Sequence, residues 1–329
     1  MFKWSKFLGG FFLFFVVAWA SYFSYLFSPI SKESVERNFT VSAGAGLNEI
    51  AELLEEQDLV HSKIAFKIYS FLSGSAHLLK PGSYSLMANL STPEIITRLI
   101  AGPPDLEVLI TEGKTIKEID QQLSSLGLIK AGELIGFPIQ NLKSQYIFIQ
   151  NANTLEGFLF PDTYRIAPDA SAALVLKKIL DNFQAKALAT LDQNPSWYDN
   201  LIIASLIERE IPLRGDRRLV AGLLRERLAR GMPLQVDATT VYVKCDGQFD
   251  NCPPLTKSDF KIQSPYNTYY YKGLPPAPIA NPGLDAMFAA INSESSPFLY
   301  YLSDPETQKT IFSETLAEHN ANRARYLSR

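Results

Sequence analysis

The chain is 329 residues long, 47% hydrophobic and 20% charged, with a net charge of −3. That length suggests two folded units plus an appendage, and the near-neutral balance carries no electrostatic footprint for nucleic acid. His61, His77 and His319 lie far apart and there are only two cysteines, so no metal-ligand cluster is visible. There is also no phosphate loop and no nucleophile elbow, and neither a metal nor a cofactor is expected.

Residues 1–6 carry Lys3 and Lys6, and Phe7–Phe27 follows as 21 residues without a charge. As a helix this run reaches roughly 30 Å, about the thickness of the bilayer hydrocarbon. It predicts a single-pass membrane anchor with a cytoplasmic N-terminus and everything after about Ser28 outside. Ala18-Trp19-Ala20 would also satisfy a signal-peptide cleavage rule, but the uncharged, largely apolar run continues past Ala20, which favours an uncleaved anchor. Residues 28–38 are polar and read as a linker.

From residue 39 to 150 short strands alternate with helical periodicity. Phe39-Thr-Val-Ser-Ala-Gly reads as strand and turn, Leu47–Leu59 and Lys63–Leu72 as helices, and Lys80-Pro-Gly-Ser-Tyr as a turn into a strand. Ser91-Thr-Pro-Glu opens a helix to about Ala101, with Thr92 as its cap and Pro93 in its first position. A second strand, Val108–Thr111, and a helix, Thr115–Leu126, echo the first pair. These strand–helix units resemble LysM modules, a resemblance that implies binding of N-acetylglucosamine-containing glycans.

Residues 151–329 read as a second, larger domain. Helices are predicted at about Ala170–Ala189 with Asp169 as N-cap, at Trp197–Glu210, and at Asp216–Arg230 with Gly231 stopping it. A stretch rich in Pro, Tyr and Asn follows to Pro282, then a helix over 284–291, a hairpin through Phe298–Leu302 and Lys309–Phe312, and a closing helix over 315–327. Leu201-Ile-Ile-Ala-Ser-Leu-Ile207 ends abruptly in Glu208-Arg209-Glu210. A carboxyl group at the rim of an apolar wall has its charged form disfavoured, which is how a general acid for glycosidic cleavage is made. The bland alternative is a surface helix whose last turn is charged.

Four segments of this domain stand together: Glu156-Gly-Phe-Leu-Phe-Pro-Asp-Thr-Tyr164, Ala204-Ser-Leu-Ile-Glu-Arg-Glu210, Met232-Pro-Leu-Gln-Val-Asp-Ala-Thr-Thr-Val-Tyr242, and Ser264-Pro-Tyr-Asn-Thr-Tyr269 continuing to Gly283. With the closing Leu316-Ala-Glu-His-Asn320, this constellation resembles the YceG-like family of endolytic murein transglycosylases. The resemblance implies an α+β chain: an N-terminal transmembrane helix, small LysM-like modules, and a C-terminal lysozyme-like catalytic domain. It implies cleavage of the β-1,4 bond between N-acetylmuramic acid and N-acetylglucosamine inside a peptidoglycan strand, leaving 1,6-anhydro ends. Its expected partners are peptidoglycan glycan strands, the inner membrane and peptidoglycan synthases, with nascent-strand termination as a role. A muramidase hydrolysing the same bond, and a non-catalytic glycan-binding scaffold, are the alternatives.

Glu208 and Glu210 are two positions apart on a helix, about 200° around it, and cannot act as a facing pair. Matching the family's Ser-x-x-Glu-x-Glu pattern puts the acid/base on Glu210, with Glu208 a structural or secondary polar group near substrate; the reverse assignment stays open. Gln235 leans to substrate binding by resemblance, while Asp237 could bind sugar hydroxyls, cap the following segment, or serve a muramidase as second carboxylate. Tyr266 and Asn267 are expected to face Glu210 across the cleft, since tyrosine rings stack on sugars and an asparagine amide both donates and accepts. Thr268, Tyr269 and His319 are expected to be structural. Cys245 and Cys252 are expected to form a structural disulfide in an oxidising compartment.

Overall fold

The structure is a computed structural model that describes residues 4–42, 44–191 and 196–327, with side chains described from residue 16 onward. The chain divides into two compact units, Met1–Leu106 with Ala167–Asp169, and Glu107–Ile166 with Ala170–Arg329.

The first unit opens with helix α1 (Trp4–Phe27). Among the described residues no helix is long and apolar enough to cross a membrane. The side chains of residues 7–15, on which much of the expected anchor rests, lie outside the described set, as do residues 1–3 of the tip. Strand β1 (Glu36–Val41) begins inside the expected linker, because it pairs antiparallel with β2 (Gly82–Met87) in a register that sets Phe39 opposite Tyr84. Helices α2 (Leu47–Glu56) and α3 (Lys63–Leu72) lie between the two strands in sequence, and α4 (Thr92–Ala101) follows them. Ile50, Ala51, Leu54, Phe66, Ile95 and Leu99 close a small core over the inward faces of the strands. Ser91, not Thr92, caps α4: its side chain and that of Glu94 exchange bonds with each other's backbone, a capping box that puts Thr92 inside the helix.

The second expected strand–helix pair does not close on itself. Strand β3 (Leu106–Ile110) pairs with β4 (Asp162–Ile166), and α5 (Ile116–Ser125) turns Ile119 and Leu123 into the core of the second unit. The division therefore falls near residue 106 and not at 150, because Leu134, Leu142 and Ile149 are buried in that same larger core. A short α6 (Gln140–Lys143) precedes β4. Helix α7 (Ala172–Asn182) follows, capped by Ser171 instead of Asp169, and runs through a π-helical turn at Phe183–Leu188 into α8 (Ala189–Leu191).

Helix α9 (Trp197–Glu210) is the axis of the second unit, with every residue from Asn200 to Ile207 buried. A helix apolar all round needs cover on every side. It receives that cover from α10 (Arg214–Ala229), α11 (Asp237–Lys244) and α12 (Leu284–Ile291). A hairpin of β5 (Tyr300–Ser303) and β6 (Thr310–Ser313) and the last helix, α13 (Leu316–Tyr326), complete it.

One glycine of α10 shows how tightly this unit is drawn together. A Cβ on Gly222 would lie 1.7 Å from the carbonyl oxygen of Glu294, whose own N–H donates to the Arg218 carbonyl at 3.0 Å. Gly222→Ala must push α10 away from that segment. It is expected to cost about 3 kcal/mol, read as a lowered denaturation midpoint at unchanged m-value.

Candidate functional site

Helix α9 ends where its apolar sequence ends. At Ile211 the backbone leaves helical geometry, and the last turn carries Glu208, Arg209 and Glu210 in three different directions. Glu210 lines a cleft of about 600 Å³ together with Arg227, Gln235, Asp237, Tyr269 and Tyr301. The Ala238 N–H, in the first turn of α11, donates to Glu210 Oε1 at 2.7 Å. Burial pushes the Glu210 carboxyl up to about 7, the Ala238 bond and Arg209 opposing the rise and the nearby Asp237 adding to it. A carboxyl poised at that value can deliver a proton and take one back near neutral pH.

Glu208 sits elsewhere. Its Oε1 accepts from Arg217 at 2.6 Å and its Oε2 from the Gly283 N–H at 2.9 Å, and it lines a separate cavity with Glu112 and Asp285. Of the two roles expected for Glu208, structural or substrate-binding, these contacts favour the structural one: both its oxygens are engaged in bracing α9 against α10 and the start of α12. Arg209, on a third face, lies 3.8 Å above the Phe249 ring and donates to the Gly113 carbonyl.

Gln235 and Asp237 both reach the cleft with Glu210. Gln235 has φ of +53°, a left-handed conformation rare outside glycine, and its Oε1 accepts from Arg227 at 3.2 Å. Asp237 is the first residue of α11 and accepts from the Tyr269 hydroxyl at 2.5 Å. The loop expected to face Glu210 does so with a different residue. Asn267 is fully buried, donating to the carbonyls of Phe260 and Ile262 and accepting from the Tyr269 N–H, so its amide folds the loop and cannot meet a glycan. Tyr266 packs 5.2 Å from the Tyr242 ring, outside the cleft. Tyr269, expected to be structural, is the tyrosine this loop supplies to the cleft; an irregular loop has no periodicity by which to tell the two rings apart.

Residues expected to be structural or not singled out complete the wall. Tyr300, Tyr301, His319 and Arg323 come from the hairpin and α13. Three buried polar atoms on this wall, Tyr301 Oη, Arg227 Nε and His319 Nδ1, have no hydrogen-bond partner among the described residues. Burial raises the Tyr301 hydroxyl well above its usual range, and Glu210 and Asp237 add to that shift. Unpaired buried polar atoms gathered at one cleft suit a polar ligand that would pair them. Only the likeness of the closing segment pointed to His319; nothing in local spacing pointed to Tyr301 or Arg227.

Behind the cleft, Glu156 is a buried brace. Its Oε1 accepts from the Ile116 N–H and the Asn281 amide, each at 3.0 Å, and its Oε2 lies 3.4 Å from the Tyr242 hydroxyl. Burial pushes it up to about 8, so it carries its proton at neutral pH. Its folded value lies above its unfolded one, so its stabilising share is complete below about pH 4.5 and lost as pH rises through 8. Glu156→Gln is expected to match the wild type in chemical denaturation at pH 4 and to exceed it at pH 9. Parallel curves at both pH values would contradict a protonated Glu156.

Cys245 and Cys252 form a disulfide across seven positions, closing a loop at the end of α11. The loop is tied to α5: Glu118 Oε1 accepts from the N–H groups of Phe249 and Asp250, and the Thr115 hydroxyl donates to the Gly247 carbonyl. The bond thus fixes the Phe249 ring on which Arg209 rests. Among the described residues, no group of acidic, His or Cys side chains could hold a metal ion.

A sequence model described as the YceG-like family matches residues 39–325. The chain is 29% identical to an endolytic murein transglycosylase of Bacillus subtilis, over 92% of this chain and 88% of that one. It is 28% identical to an endolytic murein transglycosylase of Streptococcus pneumoniae over 88% of this chain, spanning 58% of the longer relative. Among solved structures it is similar to a yceG-like protein of Listeria monocytogenes, with a TM-score of 0.59, 28% identity, and coverage of 88% of this chain and all of that one.

Proposed function

The chain belongs to the YceG-like family, and we propose that it is an endolytic peptidoglycan transglycosylase in which Glu210 is the single acid and base. The observation that carries this reading is the Glu210 carboxyl at the end of a buried helix, raised to about 7 inside a polar cleft. The protonated carboxyl gives its proton to the glycosidic oxygen as the bond from C1 of N-acetylmuramic acid to O4 of N-acetylglucosamine breaks. The carboxylate left behind then takes the proton of the C6 hydroxyl as O6 attacks C1, closing the 1,6-anhydro ring. No water is consumed and Glu210 ends protonated, as it began. The Ala238 N–H on one carboxyl oxygen steadies the ionised form between the two steps.

A muramidase reading draws support from Asp237, a second carboxylate in the same cleft that could activate water. Mass spectrometry of digested glycan strands separates the two: anhydro-muramyl ends are expected, reducing ends would favour hydrolysis, and an uncut polymer would leave only a glycan-binding scaffold. The antiparallel β1–β2 pair with α2 and α3 between its strands supports a LysM-like role for the first unit. The uncharged run Phe7–Phe27 supports an inner-membrane anchor that would hold the cleft on the periplasmic side, beside synthases extruding new strands.

A further inference from the structure

The second unit has another cavity, of about 640 Å³, at the opposite end of the helix that carries Glu210. Trp197 and Tyr198, in the first turn of α9, form its floor with Phe148. These rings are held by aromatic partners beneath them: Tyr198 stacks on the buried Phe158 at 6.2 Å, and Phe148 sits 5.2 Å from the buried Phe183. The rim is made of amides, with Gln150, Asn151 and Gln184 all exposed. Gln184 stands on the π-helical turn Phe183–Leu188, a backbone irregularity that recurs at functional sites. None of these three side chains hydrogen-bonds to another described residue, and among the described residues no charged side chain lines the cavity.

Half-buried, preorganised rings under free amides are what an uncharged sugar requires. Ring faces take the apolar face of a pyranose, and amides pair with hydroxyl and acetamido groups in both directions. The described lining of this cavity carries no charge, unlike that of the Glu210 cleft, where Arg227, Asp237 and Arg323 stand. Trp197 and Glu210 are the first and last of the 14 residues of α9, roughly 20 Å apart at 1.5 Å per residue. We propose that this cavity is a second saccharide site, which holds an uncharged, N-acetylated stretch of glycan while α9 fixes its distance from the cleavage cleft. The proposal rests on the glycan reading of the Glu210 cleft.

Of the chain's three tryptophans, Trp4 and Trp19 lie in α1, so their replacement by Phe leaves Trp197 as the sole reporter. Titrating that full-length chain with the tetramer of N-acetylglucosamine is expected to give a saturable change in Trp197 emission. Gln150→Ala, Asn151→Ala and Gln184→Ala combined should weaken it at least tenfold. The same triple variant should still cut short glycans to the same products at the wild-type rate, because none of the three lines the Glu210 cleft. A silent Trp197, or a titration indifferent to the three amides, overturns the proposal and leaves the cavity to a protein partner. Failure of the activity reading is seen separately, as intact glycan strands with the wild type while Trp197 still titrates.

Discussion

Glu210→Gln is expected to lower the rate of glycan cleavage by about two to four orders of magnitude with the fold intact, since it removes the only proton donor proposed for the reaction. Glutamine keeps the size and can still accept the Ala238 N–H, so the cleft geometry survives. Glu208→Gln should retain cleavage within about tenfold under conditions where it stays folded, because Glu208 faces another cavity. Muropeptide analysis of both purified variants measures the difference, and the reverse pattern would transfer the acid role to Glu208.

The same substitution has a signature in pH. Cleavage begins with protonated Glu210, so the wild-type rate should fall as pH rises through about 7. The folded value is also above the unfolded one, so the stabilising share of Glu210 is complete below about 4.5 and lost as pH climbs through 7. Removing the ionisable group therefore makes the Gln variant the more stable protein at pH 8, by about 1–3 kcal/mol, and equal to the wild type near pH 4. A catalytic residue whose loss stabilises the fold is the expected cost of holding a carboxyl in an apolar rim.

What the residues disclosed in advance depended on whether their placement was local. The apolar run of α9, its abrupt acidic end and the 200° between Glu208 and Glu210 are helical facts. They separated the two carboxylates before any tertiary contact was known. The Ser91 and Ser171 caps were misread by one and two positions, because neighbouring Thr92 and Asp169 carry equally suitable oxygens. The partner of β3 lies more than fifty residues away, beyond what periodicity can report, and so α5 was assigned to the wrong side of the division. The loop 264–269 defeated the reading in a similar way: which of its polar groups fold it and which face the cleft is set by carbonyls at Phe260 and Ile262. Family likeness pointed to Tyr266 and Asn267, whereas the structure sets Tyr269 of that loop on the cleft.

Arg217→Ala is expected to destabilise the second unit by about 3–5 kcal/mol. Both partners are nearly inaccessible, with 9% of the Arg217 side chain and 6% of the Glu208 side chain exposed. Arg217 also donates to the Ile211 carbonyl and pairs with Asp285, so it ties the end of α9 to α10 and α12 together. Its removal leaves a buried carboxylate whose remaining hydrogen bond among the described residues is from the Gly283 N–H. Replacing both charges at once, Arg217→Met with Glu208→Leu, should recover much of the loss, since the penalty lies in the unpaired charge and not in the absence of the pair. Chemical denaturation of Arg217→Met, Glu208→Leu and the double variant closes that cycle. Additive losses would mean that Glu208 and Arg217 act independently, and Glu208 would then regain its place as a candidate for the chemistry.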